Sequence, residues 1–150
     1  MTQPHAIHIL MVEDDPGDVF LIREALKSSA LRFMLHHADN GEKALDFLHR
    51  RPPFEAAERP HLILLDLNLP RVNGIEVLRD IKSVPELSGI PVIVLSTSKS
   101  ETDAHLCRQM GADDFISKAP SFEEFLAVGK VIEDFWLERQ NPVGEREWTA

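Results

Sequence analysis

Residues 62–74 read LILLDLNLPRVNG, in which an unbroken apolar run, 62–65, ends at the acidic residue Asp66. A short apolar run without polar interruption is typical of a parallel β-strand that is covered on both faces. A further run of this kind occurs at residues 92–95, and the run at residues 7–12 is apolar except for His8. Between these runs, apolar residues recur at helical spacing, so the sequence predicts strands that alternate with helices.

Two weaker strands complete this pattern. Residues 33–37 alternate apolar with polar side chains, which is typical of a half-exposed edge strand, and residues 114–117 precede the last helix. Helix starts carry capping residues: Asp15 is followed by a proline and, three residues later, by the acid Asp18. The result is five β–α repeats, and strict alternation of this kind predicts an open, doubly wound α/β sheet.

The bulk composition is that of an ordinary globular chain. Its 150 residues suit one domain, with 43% apolar and 27% charged residues. The net charge is −9 and the basic residues are scattered, which argues against a nucleic-acid partner because such binding needs a basic face. No apolar run approaches the roughly 20 residues of a membrane span. No signal-peptide pattern is present and Cys107 is the only cysteine, so we expect a cytoplasmic protein.

Polar side chains follow the predicted strands at the ends where parallel sheets place their binding sites. The first strand is followed by Glu13 and Asp14, the third by Asp66, the fourth by Ser96 and the fifth by Lys118. Three carboxylates at one rim repel each other unless a cation lies between them. Carboxylate oxygens suit a hard divalent ion such as Mg²⁺. We therefore expect a magnesium site beside Asp66, with Lys118 close by.

This set of groups is suited to phosphoryl transfer. A carboxylate beside Mg²⁺ and an ammonium can act as a nucleophile while the cations stabilise charge on the transferring oxygens. The product on Asp66 is an aspartyl phosphate. The hydroxyl of Ser96 can donate a hydrogen bond to a phosphoryl oxygen once that group is attached, which makes the contact a switch.

Four motifs carry a resemblance to a known family. They are ILMVEDD at 9–15, LLDLNLP at 64–70 with Asn73-Gly74 beyond it, VLST at 94–97 and GADDFISK at 111–118. In this order at strand ends, they resemble the receiver domains of two-component response regulators, over about residues 6 to 137. The resemblance implies a flavodoxin-like (βα)5 fold with a five-stranded parallel sheet of order 2-1-3-4-5. It divides the chain into a receiver domain, 1–140, and a C-terminal tail, 141–150.

The resemblance also implies roles for single residues. Asp66 would accept a phosphoryl group from a sensor histidine kinase, and Lys118 would pair with that group. Asp66 and Asp14 would bind Mg²⁺ directly and Glu13 through water, with the backbone carbonyl of Asn68 as a further ligand. Such a protein is not an enzyme in the usual sense, because it catalyses only its own phosphorylation and slow dephosphorylation.

The family's switch residues fall on Ser96, which would close over the phosphoryl group, and Phe115, which would move inward. Phe115 departs from the commoner tyrosine, so it has no hydroxyl. A second departure follows Lys118: the family usually has a proline there after a cis bond, and this chain has Ala119. A cis bond before a non-proline residue costs roughly 2.5–4 kcal/mol, so the geometry of this loop is open.

The predicted last helix carries more apolar residues than one sheet face needs, spread over roughly 220° against a usual stripe of about 100°. We expect a homodimer through this helix, with the alternative that the tail, 141–150, folds back over it. Residues 132–138, IEDFWLE, also resemble the small single-domain response regulators that partner bacterial phytochromes, which implies a phytochrome as the kinase. The candidate dimer-interface residues are Phe122, Phe125, Val128, Phe135 and Trp136.

Two other functions stay open. A Mg²⁺-dependent phosphatase with an aspartate nucleophile needs a second aspartate two residues later as a general acid, and that position holds Asn68. An interaction module that is never phosphorylated keeps the fold, but it typically loses the acidic pair, the acceptor aspartate or the lysine. This chain keeps all of them.

Overall fold

In a computed structural model, the protein is described over residues 6–97, 101–118 and 121–140. Strands and helices alternate as the sequence predicts. The strands are β1 (Ile7–Val12), β2 (Phe33–Ala38), β3 (Leu62–Asp66), β4 (Val92–Ser96) and β5 (Asp114–Ser117). The helices are α1 (Pro16–Lys27), α2 (Gly41–Leu48), α3 (Gly74–Ser83), α4 (Pro85–Ser88), α5 (Glu101–Gln109) and α6 (Phe122–Gln140).

The five strands form one parallel sheet with the order β2-β1-β3-β4-β5. The register pairs Val12 with Leu65 and Asp66 with Leu95, so the carboxyl ends of the central strands lie side by side. The predicted fold class and the strand order 2-1-3-4-5 are therefore confirmed. β2 lies at an edge and is only partly buried, as its alternating sequence predicts.

The central strands are buried on both faces, which explains their continuous apolar sequence. Leu10 and Val12 of β1 belong to a core that also includes residues of α2, α3 and α5. The intervening residues Ile9 and Met11 point to the opposite face and are 0% exposed as well. A polar residue at either set of positions would therefore be buried without solvent.

The chain divides into two compact units. Among the described residues, one unit contains 6–19, 32–97 and 101–118, and hence the whole sheet. The other contains the described residues 20–31 and 121–140, and hence most of α1 and all of α6.

Within the second unit, α1 and α6 pack closely. A Cβ atom at Gly129 would collide with the backbone carbonyl of Ala25, so only glycine permits this approach. Glu133 of α6 is 7% exposed, and its Oε1 accepts a hydrogen bond from Ala30 N at 3.0 Å. This buried carboxylate thus accepts from a backbone N–H just after α1, and its Oε2 lies 3.5 Å from Lys130 Nζ.

The structure differs from the sequence prediction in small ways. α4, a helix of 4 residues that begins at Pro85, was not predicted. β3 and β4 are each one residue longer than the apolar runs, so Asp66 and Ser96 are the last residues of their strands. The predicted tail, 141–150, lies outside the described residues. In the part of the chain that the structure describes, no helix has the length and apolar character needed to span a membrane.

Candidate functional site

The carboxyl ends of β1 and β3 bring the predicted acidic residues together. Glu13 and Asp14 follow β1 directly, and Asp66 ends β3. One carboxylate oxygen from each of the three residues lies within 4.8 Å of the other two. Glu13 and Asp66 are only 1% and 5% exposed, whereas Asp14 is exposed. The sheet therefore holds two carboxyl groups away from water and places a third at the surface.

Lys118, the first residue after β5, is surrounded by carboxylates. Its Nζ lies 2.7 Å from Glu13 Oε1, 2.8 Å from Asp18 Oδ2 and 3.5 Å from Asp66 Oδ2. The side chain is 6% exposed. Burial by itself lowers the pKa of Lys118, but the hydrogen bond to Asp18 and the close negative charges of Glu13 and Asp66 outweigh it. The pKa of Lys118 therefore lies above its usual value, and the ammonium is charged.

For Glu13, burial has a larger effect on the pKa than the neighbouring charges have. Burial raises its pKa to about 7, the charge of Asp66 adds to this, and Lys118 opposes it. Oε2 accepts a hydrogen bond from Asp15 N at 3.1 Å. Oε1 is close to Lys118 Nζ, yet among the described residues it receives no well-directed hydrogen bond. A buried carboxylate oxygen in this state calls for a further partner, such as a cation or a water bound to one.

The donor set fits Mg²⁺. Mg²⁺ prefers oxygen ligands, keeps several waters and takes one or two protein carboxylates. Asp14 and Asp66 supply such carboxylates, and the unsatisfied Oε1 of Glu13 suits a metal-bound water. The predicted magnesium site is confirmed as an acidic cluster. Asn68 N lies 3.3 Å from Asp66 Oδ1, and the role of the Asn68 carbonyl as a metal ligand stays a prediction.

The two predicted switch residues lie on neighbouring strands. Ser96 ends β4, is fully buried and lines a cavity that Asn68 and Leu106 also line. Its backbone carbonyl accepts a hydrogen bond from Lys118 N at 2.8 Å, which fixes the start of the lysine loop. Phe115 of β5 is half-buried and packs against the core. Their roles in switching stay predictions, and the peptide bond to Ala119 lies outside the described residues.

Sequence analysis missed two residues at the site. Asp18 was interpreted as an acid of the helix start, but its Oδ2 accepts a hydrogen bond from Lys118 Nζ at 2.8 Å. His37 of β2 places its Nε2 2.7 Å from the backbone oxygen of Glu13. Since a carbonyl only accepts, His37 Nε2 carries the hydrogen. The position of Asp18 in the sequence could have indicated its role, because it lies on the first turn of α1, shortly after the end of β1.

The structure narrows the predicted dimer interface. Phe125 and Val128 are 1% and 5% exposed, so they lie on the buried face of α6. A partner therefore does not reach them without unfolding the helix from its neighbours. Phe122 is 50% exposed, and Phe135 and Trp136 are half-buried. Of the five predicted interface residues, these three are accessible, and their role in a dimer stays a prediction.

Comparison with known proteins agrees with this site. Residues 9–129 match the family described as the response regulator receiver domain. The response regulator Rcp1 of Synechocystis sp. is 40% identical over 130 residues, which cover 87% of this chain and 88% of that protein.

Solved structures agree with the sequence comparison. The crystal structure of the phosphorylated cyanobacterial phytochrome response regulator RcpA is 39% identical, with a TM-score of 0.84 over 90% of this chain and 96% of that chain. The structure of the Mn²⁺-bound form of Rcp1 is also 39% identical, with a TM-score of 0.82 over 88% of this chain and 95% of that chain. This chain therefore belongs to the response regulator receiver domain family.

Proposed function

We propose that this response regulator accepts a phosphoryl group from a histidine kinase onto Asp66 and thereby changes its contacts with other proteins. One observation carries the proposal. The Asp66 carboxylate is 5% exposed, it belongs to the acidic cluster that fits Mg²⁺, and its Oδ2 lies 3.5 Å from the ammonium of Lys118. A nucleophile beside two cationic positions is what phosphoryl transfer requires.

In the proposed reaction, a carboxylate oxygen of Asp66 attacks the phosphorus of a phosphohistidine. The new P–O bond forms as the P–N bond breaks, and the electron pair of the broken bond stays on the imidazole nitrogen of the kinase. Lys118 pairs with a phosphoryl oxygen and spreads its negative charge. When bound, Mg²⁺ supplies further positive charge beside the same oxygens. Asp14, Asp66 and the Asn68 carbonyl would hold it, with Glu13 acting through water.

The proposed output depends on Ser96 and Phe115. Asp66 pairs with Leu95 in the register, so Ser96 lies one residue beyond the acceptor on the neighbouring strand. A hydroxyl in this position can bond to a phosphoryl oxygen only after transfer. The bond would favour a conformation in which Phe115 is fully buried, which shifts the equilibrium between two surfaces.

A bacterial phytochrome is the proposed kinase. RcpA, which is a cyanobacterial phytochrome response regulator, resembles this chain over 90% of its length. We assign the protein to the cytoplasm, because its single cysteine, Cys107, is buried and forms no disulfide. Its proposed chemistry is limited to its own phosphorylation and slow hydrolysis of the aspartyl phosphate.

A homodimer through the exposed side of α6 is also proposed. Phe122, Val131 and Leu137 are 50%, 42% and 50% exposed, which leaves apolar area on this helix. Light scattering after size exclusion should give a dimer for the wild type and a shift toward monomer for Phe122→Asp. The matched control is Glu123→Asp, at the next exposed position of the same turn. A wild type that stays monomeric at the highest soluble concentration would contradict the dimer.

The proposed phosphorylation is tested by intact mass after incubation with Mg²⁺ and acetyl phosphate. The wild type should gain one phosphoryl group, and Asp66→Asn should gain none. Asp46→Asn, which changes an aspartate paired with Arg51 outside the site, is the matched control and should be labelled like the wild type. A sample treated with a chelator should stay unlabelled.

Two outcomes would favour the alternatives. In the first, the protein gains no phosphoryl group from acetyl phosphate or a histidine kinase and also fails to bind beryllofluoride. In that case, a phosphorylation-independent interaction module becomes the better interpretation. If the protein turns over a chromogenic phosphate ester many times per molecule, it is a phosphatase. The second outcome is not expected, because Asn68 occupies the place of the general acid and cannot transfer a proton usefully.

A further inference from the structure

Asp18 has no part in the roles described so far, yet it makes a short contact with Lys118. Its Oδ2 accepts a hydrogen bond from Lys118 Nζ at 2.8 Å, and its side chain is 21% exposed. The contact joins the first turn of α1 to the residue that follows β5. It is therefore a long-range contact between the start of the chain and the lysine loop.

The three carboxylates around Lys118 are not equivalent. Glu13 Oε1 is close but poorly directed, and Glu13 is a proposed partner of the metal-bound water. Asp66 Oδ2 is 3.5 Å away and carries the phosphoryl group in the proposed product. Asp18 is the partner that neither the metal nor the phosphoryl group would draw away.

We propose that Asp18 is a positioning residue for Lys118: its carboxylate holds the ammonium where it can reach a phosphoryl oxygen on Asp66. The inference rests on the proposed role of Lys118. A lysine side chain is long and flexible, and its rotamer freedom opposes any single position. A fixed acceptor outside the transfer site removes part of this freedom before the phosphoryl group arrives.

The start of α1 is well suited to hold such an acceptor. Asp15 Oδ1 accepts a hydrogen bond from Gly17 N at 3.0 Å, and Asp15 O accepts one from Val19 N at 2.9 Å. The helix begins at Pro16, whose ring fixes its backbone φ angle. Asp18 thus projects from a capped helix start and not from a free loop.

Asp18 could either position Lys118 for the phosphoryl group or compete with that group for the ammonium. An ammonium has three N–H donors, so Lys118 can keep Asp18 while it donates to a phosphoryl oxygen. The separation of 3.5 Å between Nζ and Asp66 Oδ2 leaves the ammonium within reach of a group attached there. If Asp18 instead competed with the phosphoryl group, removal of its carboxylate would strengthen the binding of a phosphoryl mimic.

The first test needs neither metal nor phosphoryl group. In the metal-free protein, the ¹⁵N resonance of the Lys118 ammonium is identified by its loss in Lys118→Arg. We expect Asp18→Ala to move this resonance toward that of an exposed lysine and to speed its hydrogen exchange. Asp18→Asn, whose amide oxygen still accepts, should lie between Asp18→Ala and the wild type. An unchanged resonance in Asp18→Ala would overturn the proposal.

The second test measures the affinity for beryllofluoride in the presence of Mg²⁺. We expect Asp18→Ala to bind roughly tenfold or more weakly than the wild type, since a hydrogen bond to a charged group is lost. Asp18→Asn should recover part of the affinity. Glu24→Gln removes one negative charge from the same helix at a surface pair with Lys27, and it should bind like the wild type. Thermal unfolding confirms that each variant is folded.

The possible results separate this inference from the proposed function. If the wild type binds beryllofluoride and Asp18→Ala binds equally well or more tightly, Asp18 does not position Lys118, and the receiver chemistry stands. If the wild type itself neither binds beryllofluoride nor accepts a phosphoryl group, the proposed function fails and this inference fails with it.

Discussion

Lys118 Nζ lies 3.5 Å from Asp66 Oδ2, although Asp66 ends β3 and Lys118 follows β5, two strands that are separated by β4 in the sheet. The lysine reaches across β4 because its backbone N–H is bonded to the carbonyl of Ser96, at the end of that strand. The carboxylate of Asp66, the hydroxyl of Ser96 and the ammonium of Lys118 thus come from the ends of three adjacent strands.

The first expectation concerns the charge of Lys118. Lys118→Met keeps the length of the side chain but removes the ammonium, so charge on the transferring oxygens is less well stabilised. We expect the rate of labelling by acetyl phosphate to fall about 100-fold or more. Lys27→Met removes a charge from an exposed pair with Glu24 and should label normally, as measured by intact mass over time. Equal rates for the two variants would contradict the role of Lys118.

A second expectation concerns the pH dependence of stability without metal. Burial raises the pKa of Glu13 from 4.5 to about 7 in the folded protein. A raised pKa means that the folded state favours the protonated carboxyl. The stability contributed by this group is therefore fully present below about pH 4.5 and lost as the pH rises through about 7.

Glu13→Gln does not titrate at this position and serves as the reference. In a chelator, the free energy of unfolding of the wild type relative to Glu13→Gln should fall by an amount on the order of 3 kcal/mol across this interval. Urea unfolding of both proteins at several pH values measures the difference, in which the contributions of other groups cancel. If the free energies of unfolding of the two proteins change in parallel with pH, the pKa of Glu13 is not raised by folding. Saturating Mg²⁺ should recover much of the loss, since the cation favours the charged carboxylate.

A third expectation concerns the loop after the acceptor. A Cβ atom at Gly74 would collide with the backbone carbonyl of Asp66 and lie 2.6 Å from Leu67 Cα. Gly74→Ala should therefore lower the free energy of unfolding by about 1–3 kcal/mol and slow phosphorylation. At Gly89 a Cβ atom meets nothing within 4 Å, so Gly89→Ala is the matched control. Urea unfolding of the two variants should differ clearly, and similar midpoints would argue against the close approach.

The fourth expectation concerns the buried carboxylate of α6. Glu133→Ala removes the acceptor of Ala30 N, and we expect a loss of about 1–3 kcal/mol in the free energy of unfolding. The neighbouring Asp134 is exposed and pairs with exposed Lys130, so Asp134→Ala should cost less than about 1 kcal/mol. Chemical denaturation measures both. If Asp134→Ala proves the more harmful change, the hydrogen bond to Ala30 does not stabilise this unit.

Much of the fold could be predicted from the sequence because its signals are local. Continuous apolar runs indicated β1, β3 and β4, and Asp15 as a helix cap was confirmed by its bond to Gly17 N. The acidic cluster followed from one rule, that parallel strands end at a common rim. The short helix α4 was missed because four residues give too little periodicity to detect.

The partners of particular side chains were decided only by the tertiary structure. From sequence, Asp18 resembles any acid on a first helical turn, and its bond to Lys118 exists because the start of α1 and the end of β5 meet at the same rim. The apolar surplus of α6 was visible in the sequence, but only the tertiary structure shows that Phe125 and Val128 are buried while Phe122 stays exposed. Periodicity determines which residues share a face, because it depends only on backbone geometry. What covers that face depends on contacts between residues far apart in the chain, and these form only when the chain folds.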